Sequence, residues 1–360
     1  MLIISPKWIY LNNSKLERNK SILIDGSIIK DIIDDKVVEK KYKEVSRIKY
    51  SNHILMPTFS ESYINLNDCL SKNKIEIKIN SLLNNGVTRL NIYKKSFKDI
   101  INIEIDSQID IGQIIEFDGK TIQQSDINEM IDICDLYKSD PTKQFSISLN
   151  NIIDFDKNII RKISSIINEI DMSIHIQGRC LANIADKKKI NEAIKFWHEI
   201  NLLNNSYLHG TLNLNNDWTS SIIKKNITSM ISYNELTNID NITKFLSIMK
   251  KKHKCILITD TSNSYDLYQV IKIIESMNID KDNIFDHNKV IDCVTKNTSN
   301  LFSNFISTES INKSNKASFN LFDYTANHFI TNKNFIPKVS NLDKFSLTHV
   351  WSAGKQCEML

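Results

Sequence analysis

Glycine is scarce in this 360-residue chain, with 7 in all, and proline scarcer still, with 4. Loops that wrap phosphate need glycine so that their backbone can approach the ligand closely. No G-x-G-x-x-G or G-x-x-x-x-G-K-[ST] run occurs, which argues against nucleotide binding through such loops. Cys69, Cys134, Cys180, Cys255, Cys293 and Cys357 contain no C-x-x-C pair and lack the density of a disulfide scaffold. They read as reduced thiols of a cytoplasmic protein. No run approaches the roughly 18 apolar residues of a membrane span, and Met1 to Tyr10 lacks the basic start and small-residue cleavage site of a secretory leader. Clustered charge is missing too. The 46 Lys+Arg against 42 Asp+Glu give +4, spread in short alternating patches, so neither nucleic acid nor a membrane surface is an expected partner. The runs Lys187 to Lys189 and Lys250 to Lys252 read as solvated helix ends.

What is present is a chain 41% hydrophobic, long enough to bury a full core in one large barrel or two ordinary domains. Ile22 to Ile24, Asp25-Gly26 and Ile28-Ile29 make an apolar-turn-apolar hairpin signal. SFNLFDY (Ser318 to Tyr324) and THVWSAGK (Thr348 to Lys355) carry β-formers around Gly354. Between these ends, short apolar strands alternate with longer amphipathic helices: helix 75–84 then strand 87–93, strand 145–149 then helix 157–170, strand 172–177, helix 189–203, strand 207–209, helix 218–225, strand 229–232, helix 241–251, strand 255–259, and helices 267–277 and 289–301. Such spacing predicts parallel βαβ units, and six or more of them in about 250 residues fit a (β/α)8 barrel more economically than two doubly wound domains.

HILMPTFSESYINLNDC (His53 to Cys69) resembles the segment by which amidohydrolases enter their barrel, an apolar strand led in by Met-Pro-Gly and ending in His-x-His. Met56 and Pro57 match, Thr58 stands for the glycine, and Tyr63 and Asn65 stand where the resemblance implies two metal-binding histidines. Further likenesses follow in order. LLNNGVTRLN (Leu82 to Asn91) resembles the next helix-to-strand segment. SIHIQG (Ser173 to Gly178) is similar to the strand bearing a metal histidine and, three residues on, a catalytic Glu; His175 is kept and Gly178 takes the Glu position. YLHGTLNLNNDW (Tyr207 to Trp218) places His209-Gly210 at a histidine that faces substrate. SMISYNELTN (Ser229 to Asn238) resembles the strand and Ser-Asn turn that come next, and ITDTSNSYDL (Ile258 to Leu267) the strand ending in a metal-binding, proton-transferring Asp, here Asp260.

The resemblance covers nearly the whole chain and is nearest to the deaminase and chlorohydrolase branch. It implies an α/β fold: a TIM (β/α)8-type barrel over residues 55–312 with a small β-sandwich built from residues 1–54 and 313–360. It also implies hydrolysis of carbon-nitrogen bonds in a small heterocycle or nucleoside, a divalent metal (zinc or iron), a small-molecule ligand and possible homo-oligomers. Of the implied ligand positions only His175 and Asp260 carry metal-binding groups, whereas a catalytic zinc takes three protein ligands or more. The expectation is therefore no metal or a weakly bound one, with Asp260 and His209 as the candidate catalytic groups and His209, Gly178, Tyr63 and Asn65 lining the ligand pocket. Taken without the resemblance, His175 reads as a core histidine and Asp260 as a helix N-cap. Two readings stay open: a hydrolase rebuilt around His175, His209 and Asp260, and a catalytically inactive binding or partner subunit. Strand parity puts Glu61 on one face with Tyr63 and Asn65.

Overall fold

A computed structural model describes residues 1–11, 15–65, 72–95, 108–138, 144–178, 181, 187–259, 267–280, 288–325 and 346–358. The N-terminal strands are β1 (Leu2–Leu11), β2 (Lys15–Arg18), β3 (Lys20–Asp25), β4 (Ile28–Asp34) and, after helix α1 (Asp35–Lys41), β5 (Ser46–Pro57). Then come β6 (Phe59–Asn65), α2 (Lys72–Asn84), β7 (Val87–Lys94), β8 (Asp110–Asp118), α3 (Gln124–Lys138), β9 (Gln144–Asn150), α4 (Lys157–Glu169), β10 (Ser173–Gln177), α5 (Lys187–Glu199) and β11 (Ser206–His209). The remainder is α6 (Asn216–Lys224), β12 (Thr228–Ser232), α7 (Tyr233–Leu236), α8 (Ile239–Lys250), β13 (Cys255–Ile258), α9 (Leu267–Asp280), α10 (Asn288–Asp292), β14 (Phe319–Asp323), β15 (Leu347–Ser352) and β16 (Lys355–Gln356).

Strands β6 to β13 pair in parallel and in chain order as one eight-stranded sheet. It curls into a barrel whose seam is bridged rather than laddered among the described residues. Ser60 N donates to Val294 O (2.9 Å) and Leu257 N to Cys293 O (3.1 Å), so the segment after α10 threads between β6 and β13. The other sheet runs β16-β15-β14-β5-β1-β3-β4, with β2 on β1, and only its β1·β5 pair is parallel. Chain ends therefore share one sheet. Their turns also touch: a Cβ on Gly354 would run into the carbonyl oxygen of Gly26, and both glycines have positive φ. No helix among the described residues is long and apolar enough to cross a membrane.

Helix α4 shows how the local code works. Asp156 caps it by accepting from Asn158 N and Ile159 N, and Ile160, Ile163, Ser164 and Ile167 recur on one buried face. Strand β7 reads VTRLNIYK and yet is buried at every position, because its outward Leu90 and Ile92 pack under the helices while Tyr93 enters the barrel interior. There Tyr63, Tyr93, Ile114, Tyr207, Met230, Ile256 and Ile258 meet Leu301 and Phe302, which close the interior. Toward the N-terminal end of β7, fully buried Arg89 pairs with Glu309 and Asp110 and donates to Ile306 O, and Lys316 reaches Asp110 at 2.6 Å. These contacts fasten the barrel to the segment that leads into β14.

Two expectations change. The helix 289–301 is α10 followed by turns and a 3-10 segment, Lys296–Phe302, which Asn297 fixes by donating to Cys255 O. The strand parity at Glu61 fails because β6 carries a bulge between Glu61 and Ile64. Glu61 falls in register with Leu90, whereas Asn65 is in register with Tyr93. Its carboxylate spans the seam, accepting from Thr259 N at 3.2 Å.

Candidate functional site

A cavity of about 440 Å³ opens where the barrel strands end, lined by Tyr63, Asn65, Tyr93, Lys95, Gln177, His209, Gly210, Asn213, Ser232, Asn234, Glu235 and Ile258. This is the face on which the fold gathers chemistry. Each side chain arrives for a local reason. In the parallel ladder Gln177 lies beside His209, and His175, one inward step lower, lies beside Tyr207. Strand β11 ends at His209, and Gly210 after it, at φ 70, is the left-handed residue that turns the chain into a 3-10 segment, Thr211–Asn213. That segment is clamped from below. Glu235 accepts from Leu212 N (2.9 Å) and Ser232 N (2.9 Å), Lys244 Nζ donates to the carbonyls of Leu212 and Leu214 (2.6 Å each), and Asn241 donates to Asn213 Oδ1 (2.9 Å). Ser232 and Glu235 also form the capping box of α7. Glu235 thus holds the rim of the cavity through backbone donors.

Below the cavity, the imidazoles of His175 and His209 are bonded to each other, Nδ1 to Nε2, at 2.9 Å. Tyr207 stacks on His175 with centroids 5.5 Å apart, and Tyr63 leans on His209 at 4.4 Å and on Tyr93 at 5.1 Å. Complete burial drives the His175 pKa down to about 3, so its ring is neutral. Its Nε2 is enclosed without a hydrogen-bond partner among the described residues. An orphaned N–H is rarer than an orphaned acceptor, which favours the tautomer in which His175 Nδ1–H donates to His209. Tyr93 donates its hydroxyl to Glu116, and Gln177 donates to Ser148 Oγ at 2.9 Å.

Gly178 has a steric reason to be glycine. A Cβ there would collide with the carbonyl oxygen of His209, so the space a side chain would use is taken by the neighbouring strand end. The structure thus brings Tyr63, Asn65 and His209 to the cavity wall, sets His175 beneath it and leaves Gly178 against backbone. Asp260 lies outside the described residues. Tyr93, Gln177, Asn213 and Glu235 were not singled out from the sequence. For Tyr93 and Gln177 a signal existed, since each stands at or next to the C-terminal end of a predicted strand, where this fold gathers chemistry.

As to a metal, the described residues offer the two imidazoles, already bonded to each other, beside a phenol and an amide. No group of three His, Cys, Asp or Glu gathers to hold an ion among them, and a catalytic zinc takes three protein ligands. These residues do not make that donor set.

No protein-family model matches the sequence, and no curated protein matches it in sequence. Solved structures match it in fold. An adenosine deaminase from Xanthomonas campestris with bound zinc superposes with a TM-score of 0.76 at 10% identity, covering 99% of this chain and 92% of that one. Aminofutalosine deaminase from Helicobacter pylori gives 0.72 at 12% identity, with 99% of both chains covered. Atrazine chlorohydrolase from Arthrobacter aurescens TC1, complexed with zinc, gives 0.73 at 9% identity over 99% and 95%. The likeness shows the fold alone, a TIM barrel, here joined to a sheet made from both chain ends.

Proposed function

We propose that this amidohydrolase-fold chain binds a small heterocycle or nucleoside-like molecule at its barrel mouth, and that metal-dependent hydrolysis of carbon-nitrogen bonds is impaired or lost there. The observation that carries the reading is the bond between His175 and His209. That bond engages one nitrogen of each ring and, in the favoured tautomer, leaves the pair one lone pair, at the enclosed Nε2 of His175. The nearby phenol of Tyr63 is neutral near pH 7 and so a weak zinc ligand, which falls short of the three ligands a catalytic zinc takes. The glutamate position offers no acid or base either, since Gly178 abuts the His209 carbonyl. What the cavity retains is a binding surface. Rings of Tyr63, Tyr93 and His209 supply flat apolar faces, and the amides of Asn65, Gln177, Asn213 and Asn234 supply donors and acceptors. A planar, uncharged ligand with polar edges suits that lining. The other reading, a hydrolase rebuilt around His175, His209 and Asp260, draws its support from His209 reaching the cavity wall.

Adenosine and guanine are suitable probes, in thermal unfolding and in an ammonia-release assay run side by side. The expected outcome is a raised unfolding midpoint without ammonia release, and loss of that stabilisation in Tyr93→Ala and Asn65→Ala. Ammonia released by the parent and not by His209→Ala would establish the rebuilt hydrolase instead.

A further inference from the structure

A second cavity, of about 240 Å³, lies outside the barrel where the turn after β9 meets α4, α5 and α6. Its floor is built locally. Asn151, at φ 50, turns the chain out of β9 into a 3-10 segment, Ile152–Asp154, and donates Nδ2 to Asp118 Oδ1 at 2.8 Å. Ile152 and Phe155 of that turn are buried, as are Trp197 of α5 and Trp218 of α6, whose rings stack with centroids 6.0 Å apart. Half-buried Phe196 extends the aromatic wall, and Ile153, 43% exposed, stands at the opening. An apolar cavity of about 150 Å³ takes benzene. This one therefore has room for a substituted ring.

Two polar features say what such a ring should carry. Trp218 lines the cavity at 1% exposure, and its indole Nε1 is enclosed without a hydrogen-bond partner among the described residues. A buried indole N–H usually finds an acceptor, so the buried wall holds a donor that a ligand can satisfy. At the rim the charge is cationic. Exposed Lys157 and Lys189 line it, and Lys157 Nζ and the Arg161 guanidinium both stand over the Phe196 ring, at 5.6 Å and 5.3 Å. Of the acids close by, Asp156 is occupied in capping α4 and Asp154 pairs with Lys120 at 3.7 Å, while Glu192 of the rim lies one helical turn from Lys189. We propose that this cavity binds a small aromatic carboxylate. Its ring lies against Phe196 and the stacked indoles, its carboxylate meets the lysines of the rim, and an acceptor atom across the ring takes the Trp218 N–H. Cations alone hold any anion and an aromatic wall any apolar ring; a ring-sized space that combines both with an unmet donor selects a molecule with all three features.

The test titrates para-hydroxybenzoate, which carries all three, into the full-length protein by calorimetry, beside benzoate, which lacks the acceptor, and para-cresol, which lacks the charge. One equivalent of para-hydroxybenzoate should bind, with benzoate and para-cresol each weaker by about fivefold. Ile153→Asp places a carboxylate at the exposed opening with little cost to the fold, and should weaken para-hydroxybenzoate about tenfold. The double variant Lys157→Gln/Lys189→Gln should lose the preference for para-hydroxybenzoate over para-cresol. Trp218→Phe keeps an aromatic ring and should erase the preference over benzoate, a change that loosened packing alone does not produce. Asn65→Ala, at the barrel mouth, should leave the titration unchanged, which separates the two cavities. The proposal is overturned if the parent does not bind para-hydroxybenzoate at millimolar concentration, if it binds benzoate equally well, or if the isotherm survives Ile153→Asp and is lost in Asn65→Ala.

Discussion

Two histidine pairs in this molecule differ in what each ring engages. In the barrel, His175 and His209 have centroids 5.1 Å apart and point a nitrogen at each other. In the sheet of the chain ends, half-buried His53 and His349 are 6.0 Å apart with the Tyr50 ring edge-on to both, and His349 Nδ1 bonds the Thr348 hydroxyl instead. Proximity of imidazoles is common to both, so proximity alone does not make a site. At the barrel mouth one imidazole bonds the other and leaves His175 Nε2 enclosed without a partner among the described residues; on the sheet the bond goes to a neighbouring hydroxyl.

The comparison breaks most completely if the sheet does not depend on both chain ends. Deleting residues 340–360 removes β15 and β16 and exposes the core facing buried Leu347, Val350 and Trp351. Loss of one buried tryptophan alone costs about 3–5 kcal/mol, so the N-terminal strands should unfold with the deletion. A truncated protein with the parent's thermal midpoint would sink the shared-sheet arrangement.

A pH series sharpens the barrel side. The folded pKa of His175 is about 3, below the usual 6.5, so between these values the unfolded chain takes up the proton first. Stability from this group is full above pH 6.5 and falls as pH drops toward 3, by about 1.4 kcal/mol per pH unit. Urea unfolding of parent and His175→Asn at pH 7, 6, 5 and 4 should show a slope in the parent that is absent from the variant, whatever the carboxylates add to both. Equal slopes would mean that His175 is not held neutral by burial.

Smaller, but aimed at the same contrast, is Gly178→Ala. The added methyl meets the His209 carbonyl, and overpacking of this kind costs about 1–3 kcal/mol. Gly178→Glu should therefore destabilise and fail to restore an acid or base to the cavity, as read by chemical denaturation and ammonia release. An unshifted midpoint in the alanine variant would show that the strand ends have room to spare.

Much of the fold could be read from the chain because apolar periodicity and turn residues act locally. Gly86 does end a helix before strand β7, Gly354 does mark the last hairpin, and the alternation between Phe145 and Met277 corresponds to successive barrel units. Strand β8 and helix α3 escaped, since DIGQIIEFD mixes polar and apolar residues without a clean period. The long helix placed at 289–301 broke up because its backbone is drawn into the barrel seam at Cys293 and Val294. The site was less legible for a physical reason. Bulges have no local signature, so the one at Ser62 and Tyr63 redirected Glu61 unseen, and a glycine fixed by another strand's carbonyl looks like a mere loss. His53 and His349 are separated by the whole barrel in sequence. Their rings approach only because β5 and β15 flank β14 in the folded sheet.

The central proposal, that the described residues of the barrel mouth form no complete metal-ligand set and that the protein holds no tight metal there, is met most directly by elemental analysis. Zinc, iron and manganese are measured in protein purified without chelators, for the parent, for His175→Asn and for the double variant Tyr63→His/Asn65→His. The account predicts clearly less than one metal per chain in the first two and a gain in the double variant. One tightly held metal per parent chain, lost in His175→Asn, would contradict it and return the protein to the working hydrolases.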